Sequence, residues 1–330
     1  MNIIKQITTF IQKHNLIPDH ATIIIGLSGG PDSVFLTHVL NNLKQEKKLT
    51  LLAAHLNHEW RSNAHNDTAL CKTLCQQLNI PLIHKKASDL AASFNYNGSK
   101  EELGRKLRRY FFEQLLQEYN ANVIALGHHA QDQQETFFMR MIRGATLSGL
   151  TSMKPHDGFY IRPLLTVNKL DIMHYLNANT IPFCIDPTNQ EEIYLRNKIR
   201  RQVLPTLEQC DQRFAHNFSR MLNNLQETEY YLNTLTQEQF KIIATASNGF
   251  LEINNTLLLK QSLFLQKRLI MHWLIQEKAP FTPTESFLDE ILEFLQQPGS
   301  KEHRLHQAWS IIKQKNNVYI KKYPVSTHLT

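Results

Sequence analysis

Six consecutive residues, Ser28-Gly29-Gly30-Pro31-Asp32-Ser33, hold the most chemical information in this chain. Glycines let a backbone turn sharply and approach a ligand closely. Two hydroxyls and a row of amide N–H groups suit an anion. A carboxylate among them repels that anion unless a cation intervenes, and Mg2+ held by one or two carboxylates plus phosphate oxygens resolves the conflict. The stretch therefore reads as a polyphosphate site with Mg2+ at Asp32. It is not the common P-loop, because no Gly-Lys-Ser/Thr follows, and it lacks the third glycine of a dinucleotide fingerprint. A second group lies in "GHHAQDQQET" (127–136), where Asp132 and Glu135 are three apart and share one side of a helix. Paired carboxylates suit a cationic substrate group, or a metal with phosphates; acids in a first helical turn also simply answer the helix dipole. His55, His58, His128 and His129 raise a zinc alternative, but a strand would point His55 and His58 differently, so hydrogen bonding to nucleotide, RNA or backbone is preferred. Basic residues cluster in "SKEELGRKLRRY" (99–110) and "RNKIRR" (196–201).

The elements that must position these residues follow from the pattern. Residues 23–27 are short, apolar and β-branched, as in a buried parallel strand. Strand signals recur near 22–27, 50–57, 80–85 and 122–127, with helices near 33–45, 64–78, 99–118 and 131–142, after an opening amphipathic helix over 3–13. This alternation implies a doubly wound parallel α/β sheet. Each strand leads into a polar or small-residue segment, "SGGPDS", "NHEWR", "SDLAASFNYNGSK" or "GHHAQDQQET", and ligands in such sheets bind outside the carboxyl ends of the strands. Helical patterns resume from about 168, break at "IPFCIDPTN", and run from near 191 to 204, where Pro205 interrupts. A glutamine-rich helical connector covers about 211–241. A smaller α+β domain follows, with strands at 250–253 and 308–320 and helices near 261–277 and 284–297. "WSIIKQKNNVYI" reads as a hairpin turning at Asn316-Asn317. The domains are placed at 1–215 and 216–330, with the boundary inside the connector.

Bulk properties narrow the class. The 330 residues exceed one typical core, and 42% hydrophobic with 20% charged residues is a globular composition. No apolar run reaches a membrane-spanning length and the N-terminus lacks a signal-peptide pattern. Four cysteines without framework spacing point to a reducing compartment, the cytoplasm. A net charge of +7 suits a polyanionic partner.

"SGGPDS" resembles the loop of the PP-loop ATP pyrophosphatases, and a longer set resembles their tRNA(Ile)-lysidine synthetase family. That set comprises "HLNHEWR" (55–61), "EELGRKLRR" (101–109), "GHHAQDQQET", "RGATLSGL" (143–150), "RPLL" (162–165), "DPTN" (186–189) and "RNKIRRQVLP" (196–205). The resemblance implies ATP with Mg2+ as cofactors, and L-lysine and a CAU-anticodon tRNA(Ile) as partners. In that reaction ATP adenylates the wobble cytidine, and lysine then displaces AMP to form lysidine. Carried onto this sequence, Ser28, Gly29, Gly30, Pro31, Asp32 and Ser33, with His55 and His128, would bind the nucleotide. Asp32, Arg105, Asp132 and Glu135 would be catalytic, with Asp132 or Glu135 taking the lysine ammonium and its proton. Arg196, Asn197, Arg200 and Arg201 would meet the RNA. Two departures stand out: Glu59-Trp60 replaces the usual Gly-Leu, and Gly104 takes the alanine position of the family's E-x-x-A-R-x-x-R-Y pattern, leaving Arg105 or Lys106 as the catalytic cation. The chain is short for the family, as one without the further C-terminal module of longer members. A homodimer is a candidate assembly. RNA thiolation by a PP-loop relative, an amide- or NAD-forming PP-loop enzyme, and a nucleotide-regulated RNA-binding module are the other readings.

Overall fold

Strands buried on both faces are mostly apolar, and in the central strands here Ile23, Ile24, Ile25, Leu51, Leu52, Ala53, Ala54, Val123, Ile124 and Ala125 are buried. In the computed structural model, which describes residues 3–60, 64–91, 98–185, 195–247, 250–281 and 283–323, β1 (Thr22–Gly26) lies between β2 (Thr50–Asn57) and β4 (Val123–Ala125), parallel to both. Alternate residues serve two cores. Ile23 and Ile25 pack with helices α1 (Ile3–Lys13), α2 (Pro31–Leu43) and α3 (Ala64–Gln77), whereas Ile24, Leu52 and Ala54 pack against α5 (Lys100–Glu118), which follows β3 (Leu82–Lys86) and the short α4 (Ala87–Ala91).

Beyond β4 come α6 (Ala130–Ile142), α7 (Leu147–Leu150), β5 (His156–Asp157), β6 (Tyr160–Ile161) and α8 (Lys169–Ala178). Among the described residues the sheet order is β3-β2-β1-β4-β6-β5, parallel except for β5. Strands β5 and β6, two residues each, were not expected; β5 is the edge and β6 lies between it and β4. They are too short for a periodic signal, and β6 pairs through Ile124↔Tyr160 and Ala125↔Ile161. The order reverses at β1, so the loops after β1 and β4 flank the switch point where open α/β sheets bind ligands.

After residue 194, a helical turn α9 (Leu195–Lys198) passes through a π-wound turn, Ile199–Val203, into α10 (Leu204–Cys210). Pro205 therefore does not interrupt the helix, as the sequence suggested. It sits in the first turn of α10, and the wider turn before it accommodates a residue that lacks an N–H and crowds the carbonyl four residues back.

The chain divides into two units, Met1–Leu225 and Gln226–Thr330, with α11 (Phe214–Ile243) running through the division. The second unit is an antiparallel sheet ordered β7 (Ala244–Ser247), β8 (Phe250–Asn254), β11 (Asn317–Lys322), β10 (Trp309–Gln314), β9 (Lys301–His306). Its core contains α13 (Leu263–Gln276) and α14 (Glu285–Gln296), with Trp273, Ile270 and Leu295 fully buried, and α12 (Asn255–Leu259) adds Leu258. The β10–β11 hairpin pairs Gln314 with Asn317, so its turn is Lys315-Asn316, one residue earlier than expected. Lys315 takes a positive φ of 54° in this turn. No helix among the described residues is long and apolar enough to cross a membrane.

Candidate active site

The loop after β1 is shaped by its own side chains. Ser33 Oγ accepts from the Ser28 N–H (3.1 Å), lies 3.0 Å from Ser28 Oγ and donates to Gly30 O (3.0 Å). Gly30 N–H donates to Ser28 Oγ (3.3 Å). Gly29 takes φ +85°, a conformation open to glycine at little cost. Pro31 starts α2, where its missing N–H costs nothing. The result is a tight turn with Ser28 exposed, leading into a helix N-terminus, the geometry suited to a phosphate. The loop after β4 closes against its back. A Cβ on Gly127 would lie 3.0 Å from the Asp32 carbonyl and 3.1 Å from Ser33 N, so glycine lets the two loops meet without displacing that backbone.

His55 props the loop from beneath. It is buried, its Nδ1 is 2.9 Å from Leu27 O and its Nε2 is 3.0 Å from Thr68 Oγ1. Burial lowers its pKa, more than its bond to the Leu27 carbonyl raises it. Both nitrogens of His55, expected to bind nucleotide, are engaged inside the protein, one of them by the carbonyl of Leu27 next to the loop.

The carboxylates converge as the spacing implied. His129 caps α6, with its N–H donating to Asp132 Oδ2 (2.9 Å), while its Nε2 lies 3.7 Å from Asp32 Oδ1 and 3.5 Å from Asp132 Oδ2. His129 thus links the phosphate loop to the acid pair. Lys169 Nζ, at the start of α8, donates to Asp32 Oδ1 at 2.5 Å. His129 was weighed from the sequence only among four histidines, for zinc or for hydrogen bonding, and Lys169 was not singled out at all. Lys169 lies four residues beyond "RPLL", and only folding brings α8 beside the loop.

Arg196 and Arg200, expected to meet the RNA, bond in this structure to the two acids of α6. Arg196 Nε donates to Glu135 Oε2 (2.6 Å) and its Nη2 to Asp132 Oδ1 (2.6 Å). Arg200 Nε donates to Glu135 Oε1 (2.5 Å) and its Nη2 to Glu135 Oε2 (3.1 Å). Glu135 is 0% exposed and Asp132 7%, so two arginines neutralise two buried acids. Residues four apart on a helix share one face, which is why both reach α6. Lys198 and Arg201 are exposed, and Asn197 is half-buried beside the cluster. Burial pushes the Asp132 carboxyl up, but the charges of His129 and Arg196 and the His129 N–H outweigh it and hold the group below the usual carboxylate range.

A cationic row continues toward α5. Burial lowers the His128 pKa to about 4, with Asp132 opposing and Arg162, Arg196 and Arg108 assisting. Arg162, from the "RPLL" stretch, donates to Lys154 O (2.7 Å); burial lowers its pKa, and nearby Arg105 lowers it further. Arg105 is exposed on the side of α5 that faces this row, whereas Lys106 lies 3.9 Å from Glu102 on its own helix. Gly104 is buried beneath Trp60, whose ring atoms lie 2.5 and 2.7 Å from where a Cβ would be. Glu59, in the family's usual glycine position, has φ +55°, with its N–H bonded to Asn57 Oδ1 (2.9 Å). The two sequence departures are thus one packing solution. "DPTN" (186–189), Arg61 and residues 92–97 lie outside the described residues.

The model of the PP-loop domain family matches residues 1–207. A tRNA(Ile)-lysidine synthase of Bacillus cereus is 32% identical over 300 residues, covering 88% of this chain and 63% of that protein. Its counterpart in Caldanaerobacter subterraneus subsp. tengcongensis is 32% identical over 324 residues, covering 97% and 69%. The chain thus spans less than two thirds of the Bacillus protein's length. Among solved structures, the U34-tRNA thiolase NcsA from Methanococcus maripaludis superposes with a TM-score of 0.58 at 18% identity, over 68% of this chain and 78% of its own, a likeness of fold. The loop, the acid pair and the switch-point sheet all fall within the matched residues, and the chain belongs to the PP-loop domain family, with the tRNA(Ile)-lysidine synthases among its relatives.

Proposed function

We propose that the chain is a ligase that uses ATP to adenylate the wobble cytidine of CAU-anticodon tRNA(Ile) and then joins L-lysine to carbon 2. The observation that carries this reading is the linkage of the phosphate loop to a buried acid pair through His129, 3.7 Å from Asp32 and 3.5 Å from Asp132. Relatives named tRNA(Ile)-lysidine synthase support it.

A cytosine carbonyl oxygen is a poor leaving group. When that oxygen attacks the α-phosphorus, pyrophosphate departs and the oxygen becomes the leaving group of an adenylate. The turn at 28–33 and the α2 N-terminus receive the diphosphate. Asp32, one partly exposed carboxylate beside that seat, fits Mg2+ held mainly by phosphate oxygens, and the ion would spread the phosphate charge. Lys169 already neutralises Asp32 and adds a second cation there. Arg105 stabilises charge developing on the phosphates.

In the second step the lysine ε-amine attacks carbon 2, the C–O bond to AMP breaks, and the amine loses a proton. With a pKa of about 10.4, only about one amine in 2,500 is neutral at pH 7, a penalty of about 4.6 kcal/mol. Asp132 is the residue we assign to the ammonium and its proton. It borders the loop, and its lowered pKa keeps it anionic. Glu135, which accepts three arginine N–H bonds and has no exposed surface, anchors Arg196 and Arg200 instead. Thiolation has less support, because burial raises the thiol pKa of Cys71, and that of Cys75 to about 11, so neither offers a thiolate.

The test incubates the protein with ATP, Mg2+, labelled lysine and CAU-anticodon tRNA(Ile). Lysine should enter RNA with one AMP released per lysine; incorporation without ATP, or none at all, would overturn the reading. The cytoplasm is the compartment that holds these substrates together.

A further inference from the structure

Trp60 stands outside the reaction just described. It is 42% exposed, while Trp273 and Trp309 are 1% and 9% exposed in the other unit. A large apolar ring left open is informative when the surrounding protein fixes its place. Here three contacts do so. The ring stacks on His58 at 4.5 Å between centroids and 29° between planes. It lies over buried Gly104, in space that a Cβ would fill. Lys100 Nζ sits 5.6 Å from its centroid.

The support beneath the ring is itself held. Arg108 Nη2 donates to His58 Nε2 at 3.3 Å, so the ring proton belongs on Nδ1. Burial and Arg108 push the His58 pKa to about 4, which keeps this imidazole neutral. Arg108 is also near enough to His128 to lower its pKa. An indole, an imidazole and a guanidinium are thus in successive contact.

We propose that the Trp60 indole is a stacking platform for an unpaired base of the RNA substrate, neighbouring the base that reacts, with Lys100 and Arg108 drawing the adjoining phosphates. A fixed aromatic face flanked by cations is the surface that single-stranded nucleic acid binds. Small-molecule pockets enclose their ligand, so an open indole favours an RNA base over the adenine of ATP. The inference rests on the proposed reading that RNA is the substrate.

The test is RNA binding by the full chain, which does not need lysine transfer. An anticodon stem-loop RNA of about 17 nucleotides with a CAU anticodon is titrated while tryptophan emission is followed. It should quench wild type and leave Trp60→Phe emission unchanged, while Trp60→Phe binds within about threefold of wild type. Trp60→Leu should raise the RNA Kd and the KM for tRNA about 5- to 100-fold, the range of one lost base stack, with the KM for ATP unchanged. Quenching by ATP alone, with a raised ATP KM in Trp60→Leu, would assign the ring to adenine and overturn the proposal. So would RNA that binds without quenching. Quenching without lysine transfer would support the platform and defeat the proposed reaction.

Discussion

Glu135 and Asp132, three residues apart, have different surroundings and should fail differently. Asp132→Asn removes the group assigned to the substrate amine, so lysine transfer should fall about 10²- to 10⁴-fold, with little change in the KM for ATP. Glu135→Gln leaves Arg196 and Arg200 without their shared anion. It should lower stability by about 2 kcal/mol or more, read as a drop in the urea midpoint. The histidines make a separate prediction. His58 and His128 have pKa values near 4 in the folded protein, below the ordinary 6.5. Between those values the unfolded chain binds more protons, so stability falls as pH drops from 6.5 toward 4, by up to about 1.4 kcal/mol per unit for each histidine. Asp132, also lowered, loses its contribution only as pH falls below its unfolded value near 4, through its folded pKa. Urea midpoints at pH 7 and 5 should therefore differ, and by less in His128→Asn.

At the scale of elements, two glycines exist because another segment occupies the space of their Cβ atoms. Gly127→Ala would press the β4–α6 loop into the backbone of Asp32 and Ser33. Shifting that loop should raise the KM for ATP about tenfold, at about 1–3 kcal/mol of overpacking cost. Gly104→Ala would collide with Trp60 and should destabilise alone. In a Trp60→Leu background it should stabilise by up to about 1 kcal/mol, because alanine is the better helix former. A double-mutant cycle on thermal unfolding measures that change of sign. The π-wound turn at Ile199–Val203 belongs to the same scale, since it carries α9 past Pro205 while Arg196 and Arg200 stay on the acids.

For the molecule as a whole, a charge of +7 suits a polyanion. The basic run 196–201 is split, with two arginines consumed by Asp132 and Glu135 and two cations left exposed. RNA affinity should thus fall with salt, and Lys198→Gln should reduce the slope of log Kd against log salt by about 0.7–0.9, with filter binding as the measurement. Arg200→Gln should instead lower stability, since that arginine balances a buried acid.

What the sequence determined by itself is local. Apolar β-branched runs alternating with helical patterns specify a parallel sheet, and a short span of glycine, proline, serine and aspartate specifies an anion-binding turn before a helix, because both depend on neighbouring residues. Asp132 and Glu135 were legible for the same reason, their spacing alone placing them together. What only the tertiary structure decided involves partners distant in the chain: Lys169 on Asp32 across 137 residues, Arg196 on Asp132 across 64, and Trp60 in the space left by Gly104. Which cation neutralises a buried acid, and which side chain fills a missing Cβ, is settled by packing between elements, and no local pattern encodes that choice.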